Sequence, residues 1–464
     1  MKNSIKLPAK ASIWYMISGL LGKACAVLTT PFFTRILSRE EYGSFNLYMT
    51  VLGGASVVCS SFSTGSAVYK GLSNFKDKKD AFLKAVLGVS MGFTLLVCIL
   101  LFAFSSFLGV SGAFLPIISL QLFCDGILGV FYSGARYSYR YKEVCGLSVV
   151  GFILPPLLAL LVLLTIGGGF EVRVTSLLAV SLGSAAYALI RLFKSKEKTG
   201  KGMAKYAIKQ SLPLLPHSIS NSLTSQADKL LITALLGAGA LAEYSVGHSL
   251  GISLAFLVGT LGGALNPWII RRLESKGYAE IAKINTYVFS GLSAAAVFLC
   301  AVSPEVIAIL APREYSGAAG AVLPVALSVL PSFLISTITV ALIYDEKGKY
   351  TVILSLVGAG LSVILNYMFI RSFGYLGAGY ALLLSQWATA ALGIYYLKRI
   401  GLNEIFCIRS ISKSFLLGFG LCILVRVFQS SPALRILVLI APAVALLNAL
   451  FGLKRLIYEK SLPA

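Results

Sequence analysis

The sequence predicts an all-α integral membrane protein of about fourteen transmembrane helices, on three observations. First, 57% of its 464 residues are hydrophobic and only 12% are charged, whereas a soluble domain carries about 25% charged residues. Second, uncharged apolar runs recur from end to end, each near the roughly 20 residues a helix needs to cross the hydrocarbon core. Third, Lys and Arg gather in every second connecting segment, the asymmetry that orients membrane helices.

The runs fall at 11–33, 44–68, 83–104, 113–135, 144–166, 172–192, 212–236, 244–268, 287–310, 321–344, 350–370, 376–397, 411–427 and 434–453. The first follows Lys2, Lys6 and Lys10 in the manner of a signal peptide. A signal core is only about 7–15 residues long, however, so this longer run reads as a retained span. With the N-terminus placed in the cytoplasm, about 31 of the 40 basic residues lie in inside segments. Outside segments hold only Arg35, Arg39, Arg173, Arg313, Arg371, Arg426 and Arg435. Losing one span would invert every later segment, so the pattern favours an even count with both termini cytoplasmic and the protein in the cell membrane. The net charge of +22 is then a topology signal. No basic stripe with interleaved aromatics stands on a polar domain, and nucleic acid is not an expected partner.

The eight cysteines form no CxxC pattern and mostly sit inside apolar runs, where Cys behaves as a small hydrophobe. Neither a metal site, nor a disulfide framework, nor a cofactor is expected. Enzyme signatures are missing as well. Gly19-Leu20-Leu21-Gly22-Lys23 mimics a phosphate loop, but its spacing is wrong and it lies in a membrane helix. With two histidines and no HExxH, zinc hydrolysis is not expected. The chain reads as a transporter.

The longest polar stretch, Lys194 to Lys209, divides the sequence. Residues 1–193 form an N-terminal lobe of spans one to six, and 194–210 a cytoplasmic linker. Residues 211–400 form a C-terminal lobe of spans seven to twelve, and 401–464 an appended helix pair. Lys10–Phe45 and Lys209–Tyr244 align without gaps at an offset of 199, pairing Leu37 with Leu236 and Phe45 with Tyr244. Six spans per half give both halves the same orientation, the parallel-repeat arrangement of some transporters, with a cavity between the halves. Pro31, Pro155, Pro156, Pro213, Pro216, Pro324 and Pro331 interrupt or open spans, either as plain kinks or beside a cavity. The GxxxG pairs Gly88/Gly92, Gly247/Gly251 and Gly259/Gly263 predict close helix packing.

Ionisable groups inside spans are costly and are therefore functional candidates. Lys23, Arg35 and Lys229 are the candidate substrate-binding cations; Asp125, Asp228 and His248 are the candidate ion-coupling groups. Asp228 and Lys229 are adjacent, so they point about 100° apart on a helix and each needs another partner or water. Lys23 has no nearby acid in its own span, which suits a solvated cavity. Asp125 could equally hydrogen-bond a neighbouring helix, Arg35 could snorkel to the outer interface, and His248 could be a satisfied interhelical residue rather than a proton carrier.

Several segments carry a family likeness. Thr30-Pro31-Phe32-Phe33-Thr34-Arg35-Ile36-Leu37, then Glu41-Tyr42-Gly43-Ser44-Phe45, resembles the first-span signature of polysaccharide biosynthesis proteins. These are Wzx-type oligosaccharide flippases of the multidrug/oligosaccharidyl-lipid/polysaccharide exporter superfamily. Pro213-Leu214-Leu215-Pro216-His217, Ala227-Asp228-Lys229-Leu230-Leu231-Ile232 and Tyr244-Ser245-Val246 resemble the start of that family's second half. Pro304-Glu305-Val306-Ile307 with Tyr315, and Asn366 with Phe373-Gly374-Tyr375-Leu376-Gly377-Ala378, are similar to its ninth-span end and its eleventh-to-twelfth junction. The likeness covers about residues 10–400 and departs at Ala240–Glu243, where the family more often has Gly before the Tyr-Ser pair.

The resemblance implies a bacterial flippase that moves undecaprenyl-pyrophosphate-linked oligosaccharide repeat units across the cytoplasmic membrane by alternating access, for O-antigen, capsule or exopolysaccharide biosynthesis. Its implied partners are the lipid-linked oligosaccharide, membrane lipid, a coupling H+ or Na+, and polysaccharide assembly proteins. A pyrophosphate needs cations in its path, and Lys23, Arg35 and Lys229 would supply them. Drive would come from an ion gradient or the membrane potential, about 2.3 kcal/mol per charge per 100 mV. Two alternatives stand beside this reading. A cation-coupled multidrug exporter of the same superfamily would need an acidic cavity. A membrane glycan polymerase or ligase would need a large outside loop, and every outside segment here is short.

Overall fold

The computed structural model describes residues 2–64, 66–105, 112–195, 197–200, 202–428, 431, 433, 435, 438–444, 446 and 447. Among them the chain forms helices and no strands, as expected where lipid offers no partner to a free backbone N–H or C=O. In order these are α1 Lys2–Ile36, α2 Arg39–Ser63, α3 Ser66–Asn74, α4 Lys79–Ala103, α5 Leu115–Tyr137, α6 Tyr141–Thr165, α7 Glu171–Phe193 and α8 Met203–Ser211. Then come α9 Leu215–Leu236, α10 Ala238–Gly251, α11 Ala255–Glu274, α12 Tyr278–Leu310, α13 Ala319–Tyr344, α14 Gly348–Phe373, α15 Tyr375–Arg399 and α16 Ile408–Val427.

Eleven segments among the described residues are long and apolar enough to cross a membrane, so the chain is a multi-pass membrane protein. Spans seven and twelve of the sequence correspond to α9 and α15, which fall short in hydropathy rather than in length, at 22 and 25 residues. In α9 the cause is a run of hydroxyl, amide and charged side chains. Span fourteen, 434–453, lies largely outside the described residues, so the expected count of fourteen is not established.

By packing, the chain separates into two compact units, Met1–Ala242 and Glu243–Ala464. In the first, α1 runs beside α6, α9 beside α2, and α5 beside α4 and α7. Phe82, Val86, Phe131 and Leu72 are buried at its centre. In the second, α13 packs against α12 and α15, and α16 lies along α12. Leu327, Leu334, Ile338, Phe289 and Val297 are among its fully buried members.

Turn chemistry sets the helix boundaries. Ser38 caps α2: its hydroxyl accepts the Glu41 N–H at 3.2 Å while the Glu41 carboxylate accepts the Ser38 N–H at 2.9 Å, a reciprocal capping box. Three reversals share another device. Tyr139, Lys276 and Glu346 adopt φ of 54°, 55° and 56°. The next residue's N–H then donates back five positions, Arg140 to Ala135 O, Gly277 to Arg272 O and Lys347 to Leu342 O, each at 2.8 Å. This closes the preceding helix's last carbonyls in a Schellman pattern without a glycine at the left-handed position.

The C-terminal end of α12 is held by Arg435. The residue is 6% exposed, donates to Ala301 O at 2.8 Å and to Glu305 Oε2 at 3.0 Å, and grips the other carboxylate oxygen with its second terminal nitrogen. Glu305 sits in the Pro304-Glu305 segment that the sequence marked.

The glycine expectation is met at only one of the three GxxxG pairs. A Cβ at Gly247 would lie 2.1 Å from Ala318 O and one at Gly251 2.8 Å from Val325, so this pair is a packing contact. At Gly88, Gly92, Gly259 and Gly263 nothing lies within 4 Å. These four are corrected to open positions, because the spacing alone does not fix which helix face meets a neighbour. The tightest approach in the first unit is elsewhere, at Gly43, where a Cβ would come within 1.9 Å of Ala238 O. Overpacking of this kind costs about 1–3 kcal/mol. Gly43→Ala is therefore expected to lower the thermal midpoint of the detergent-purified protein, while Gly88→Ala leaves it unchanged or raises it; equal shifts would refute the assignment.

Candidate functional site

The α9 helix is rich in polar side chains for its length, and its composition explains its setting. Leu212–Leu214 form a short 3-10 turn, and Pro216 occupies the first turn of α9, where its missing N–H costs nothing. Ser220 Oγ donates to Pro216 O at 2.7 Å, Thr224 Oγ1 to Ser220 O at 2.9 Å and Thr233 Oγ1 to Lys229 O at 2.9 Å. These hydroxyls are thus satisfied within the helix, leaving the longer side chains for other roles. His217 Nε2 lies 3.1 Å from Asn221 Nδ2 one turn on.

One side of α9 lies against Gly53 and Gly54 of α2. Ser222 Oγ donates to Gly54 O at 2.8 Å. A Cβ at Gly54 would lie 3.1 Å from Ser222 Oγ, and one at Gly53 would lie 3.3 Å from Gln226 Nε2. The paired glycines let the α2 backbone approach this polar face, the role small residues play between membrane helices. Beside the seam is a cavity of about 290 Å³, walled by Val51, Val97 and Leu100 and bordered by Ser222 and Gln226. Gln226 also links this cavity to a charge: Lys229 Nζ lies 3.5 Å from its Oε1. An anion entering there would meet the Gln226 amide against apolar walls, with the Lys229 ammonium next to that amide, and charge-assisted hydrogen bonds are strong in such surroundings.

A second polar cluster crosses the same unit. Asp125 of α5 accepts from Ser56 Oγ of α2 at 3.2 Å and from Gln121 Nε2 at 3.1 Å, and Gln121 Nε2 also donates to Ser181 Oγ of α7 at 2.7 Å. One carboxylate and one amide together so tie three helices. Among the described residues Gln121 Oε1 has no hydrogen-bond partner, nor do the buried hydroxyls of Tyr48, Ser90 and Thr94. Ser90 and Thr94 flank Gly126, the residue after Asp125. Buried polar atoms of this kind cost about 1–3 kcal/mol each when unmet, so the cluster has the donor and acceptor capacity for a proton, a water or a small cation.

The candidate residues of the sequence are distributed as follows. Asp228 is 3% exposed, and its Oδ1 accepts the backbone N–H of Lys229 at 2.8 Å. Lys229 is half-buried. Asp125 is half-buried in its own cluster, a separate place from the α9 seam. Lys23 is exposed on α1. Arg35 is exposed in the last turn of α1 and donates from Nη1 to Pro31 O at 2.8 Å. Lys23 and Arg35 stand twelve residues apart on one helix, about 18 Å of rise, so one phosphate cannot touch both Cα positions closely. His248 belongs to the second unit, half-buried, its ring 5.4 Å from that of Tyr244.

Sequence reasoning missed Gln121, Ser56, Ser181, Gln226 and Arg173. Gln121 was accessible in principle, since it stands four residues before Asp125 and shares its helix face. Arg173 was placed only among outside cations, yet its guanidinium is sandwiched 3.7 Å from the Phe33 ring and 3.6 Å from the Phe45 ring. It clamps α7 to α1 and α2 by cation–π stacking.

Comparison with known proteins follows this geometry. In the solved structure "Lipid II flippase MurJ, inward closed conformation", the fold matches 97% of this chain and 99% of that one, with a TM-score of 0.72 at 14% identity. An inward-facing multidrug resistance MATE family transporter of the MOP superfamily matches over 82% of this chain and 95% of its own, with a TM-score of 0.62 at 15% identity. A MOP superfamily transporter from Pyrococcus furiosus matches over 86% and 96%, with a TM-score of 0.58 at 16% identity. At these identities the likeness shows the fold. No curated protein matches the sequence. The family model described as "Polysaccharide biosynthesis protein" matches residues 9–273. That match takes in more than half of the sequence, α9 and the Asp125 cluster included, and places the chain in the polysaccharide biosynthesis protein family.

Proposed function

We propose that the protein is a flippase that moves an undecaprenyl-pyrophosphate-linked oligosaccharide across the cytoplasmic membrane by alternating access, for surface polysaccharide assembly. The observation that carries this reading is the family membership joined to a membrane helix, α9, whose Lys229 ammonium stands at a polar seam beside an apolar-walled cavity. The pyrophosphate headgroup is anionic, and Lys229, Lys23 and Arg35 are the cations to meet it in turn. Lys23 and Arg35 are separated along α1, which suits successive contacts along a path better than one joint site. The polyprenyl tail stays in lipid throughout.

Coupling to H+ or Na+ falls to Asp125, with Asp228 and His248 as further candidates. Supporting this is the Asp125 cluster, whose unmet buried oxygens would be satisfied by an ion or a proton-carrying water. The lobes of the sequence, 1–193 and 211–400, are the proposed moving halves. The matching left-handed reversals at Tyr139 and Glu346, which close spans four and ten, support a repeated build. Both termini are proposed to face the cytoplasm, on the distribution of basic residues.

The reading is tested in liposomes with a fluorescent undecaprenyl-pyrophosphate oligosaccharide. A charge-assisted contact is worth about 1.5–3 kcal/mol, so Lys23→Ala and Lys229→Ala are each expected to slow movement about 10- to 150-fold with unchanged thermal midpoints. No movement by the wild type under any proton, sodium or voltage gradient, together with export of cationic dyes, would replace this function with drug export. Asp125→Asn is expected to leave a slow rate that no longer responds to the imposed gradient; a fully retained response would remove Asp125 from coupling. Topology has its own readout. Cys407, exposed before α16, is expected to react with an impermeant maleimide in inside-out vesicles and not in right-side-out ones, and the reverse result would invert the proposed orientation.

A further inference from the structure

The α1 and α6 helices run side by side in the first unit, but they touch unevenly. At Gly22 they are tight: a Cβ there would lie 2.6 Å from the Phe152 ring. Toward the N-terminal ends of both helices they part. There, Trp14, Ile17 and Leu21 of α1 face Cys145, Gly146 and Val149 of α6 across a slot of about 420 Å³. Among the described residues no side chain fills the slot, and a Cβ at Gly146 would meet nothing within 4 Å. The large side chains on its α1 wall are exposed, Trp14 at 45% and Leu21 at 44%.

One end of the slot is polar and cationic. Tyr141 and Lys142 border it, and the Arg136 guanidinium sits 5.7 Å from the ring of Tyr15, next to Trp14 on α1. The acid of this corner, Glu143, is engaged by Arg191 at 2.8 Å and by Arg140 at 3.6 Å. Among the described residues Lys142 has no acidic partner. Trp and Tyr at this level are the side chains that favour the membrane–water boundary. From Tyr141 to Val149 the helix rises about 12 Å, close to the depth of one leaflet's hydrocarbon, about 15 Å.

We propose that this slot is a binding site for an anionic phospholipid, with one acyl chain lying between α1 and α6 and the phosphate at Lys142. An apolar channel of one-leaflet depth takes a chain that enters from the bilayer. A cation without an acidic partner at its aqueous end selects a lipid with net negative charge over a zwitterionic one. The chain wedges the Lys142 ends of α1 and α6 apart while Gly22 and Phe152 hold them together deeper in the membrane. Leaflet composition thereby acts on α1, the helix that carries Lys23 and Arg35. The site lies apart from the α9 seam and stands whether or not the proposed substrate is correct.

The test is native mass spectrometry of the full-length protein released from detergent with phosphatidylglycerol or phosphatidylcholine of equal chain length. The wild type is expected to retain at least one phosphatidylglycerol, at about tenfold lower lipid concentration than phosphatidylcholine. Gly146→Leu, which fills open space, is expected to abolish that retention without lowering the thermal midpoint. Lys142→Gln is expected to erase the preference between the two lipids while chain binding persists. Equal retention of both lipids by the wild type, or undiminished retention by Gly146→Leu, would overturn the site. Retention of undecaprenyl phosphate in preference to phosphatidylglycerol would overturn the occupant and reassign the slot to the carrier lipid.

Discussion

The requirement that every backbone N–H and C=O find a partner away from water governs the rest of this molecule. It restricts the described chain to helices and concentrates irregular backbone at the turns. It also disciplines the hydroxyls. Thr29, Thr30 and Thr34 of α1 donate to carbonyls three or four residues back, as do Thr50 of α2 and Ser220 of α9. A hydroxyl spent this way is electrically quiet. Other polar groups reach across helices instead, and two such sets stand in the first unit, the seam of α9 with α2 and the cluster around Asp125.

These two places differ in kind. At the seam, small residues on α2 admit amide and hydroxyl groups of α9 and leave a cavity with donors on one border. Around Asp125, four buried oxygens lack a partner among the described residues. The first arrangement suits a ligand that comes and goes, and the second suits a bound ion or proton. That division of labour supports the proposed function without requiring any charge to do both jobs.

The membrane class was legible because hydropathy and the inside–outside charge asymmetry are averaged over many residues, so no single error matters. Asp125, Asp228 and Lys229 were legible because an ionisable group in an apolar run is conspicuous. What escaped was information about faces and distance. Gly88 and Gly92 carry the same spacing as Gly247 and Gly251, yet only the second pair meets a neighbour, since spacing does not say which way a stripe points. The Glu305–Arg435 pair joins residues 130 apart, and the Phe33–Arg173–Phe45 stack joins three helices. No local pattern encodes either. The hydropathy of α9 is low for the reason that makes it a candidate site: its polar side chains have partners or a cavity that a sliding average cannot see.

The reversals at Tyr139, Lys276 and Glu346 have a consequence for how the chain is made. Each is closed by main-chain hydrogen bonds between residues at most five positions apart, so it needs nothing from the rest of the molecule in order to form. A ribosome-bound chain can therefore complete the pairs α5–α6, α11–α12 and α13–α14 as hairpins as soon as the second helix of each has emerged. Synthesis delivers finished two-helix blocks to the bilayer, and assembly of the bundle becomes a matter of docking blocks rather than threading single helices.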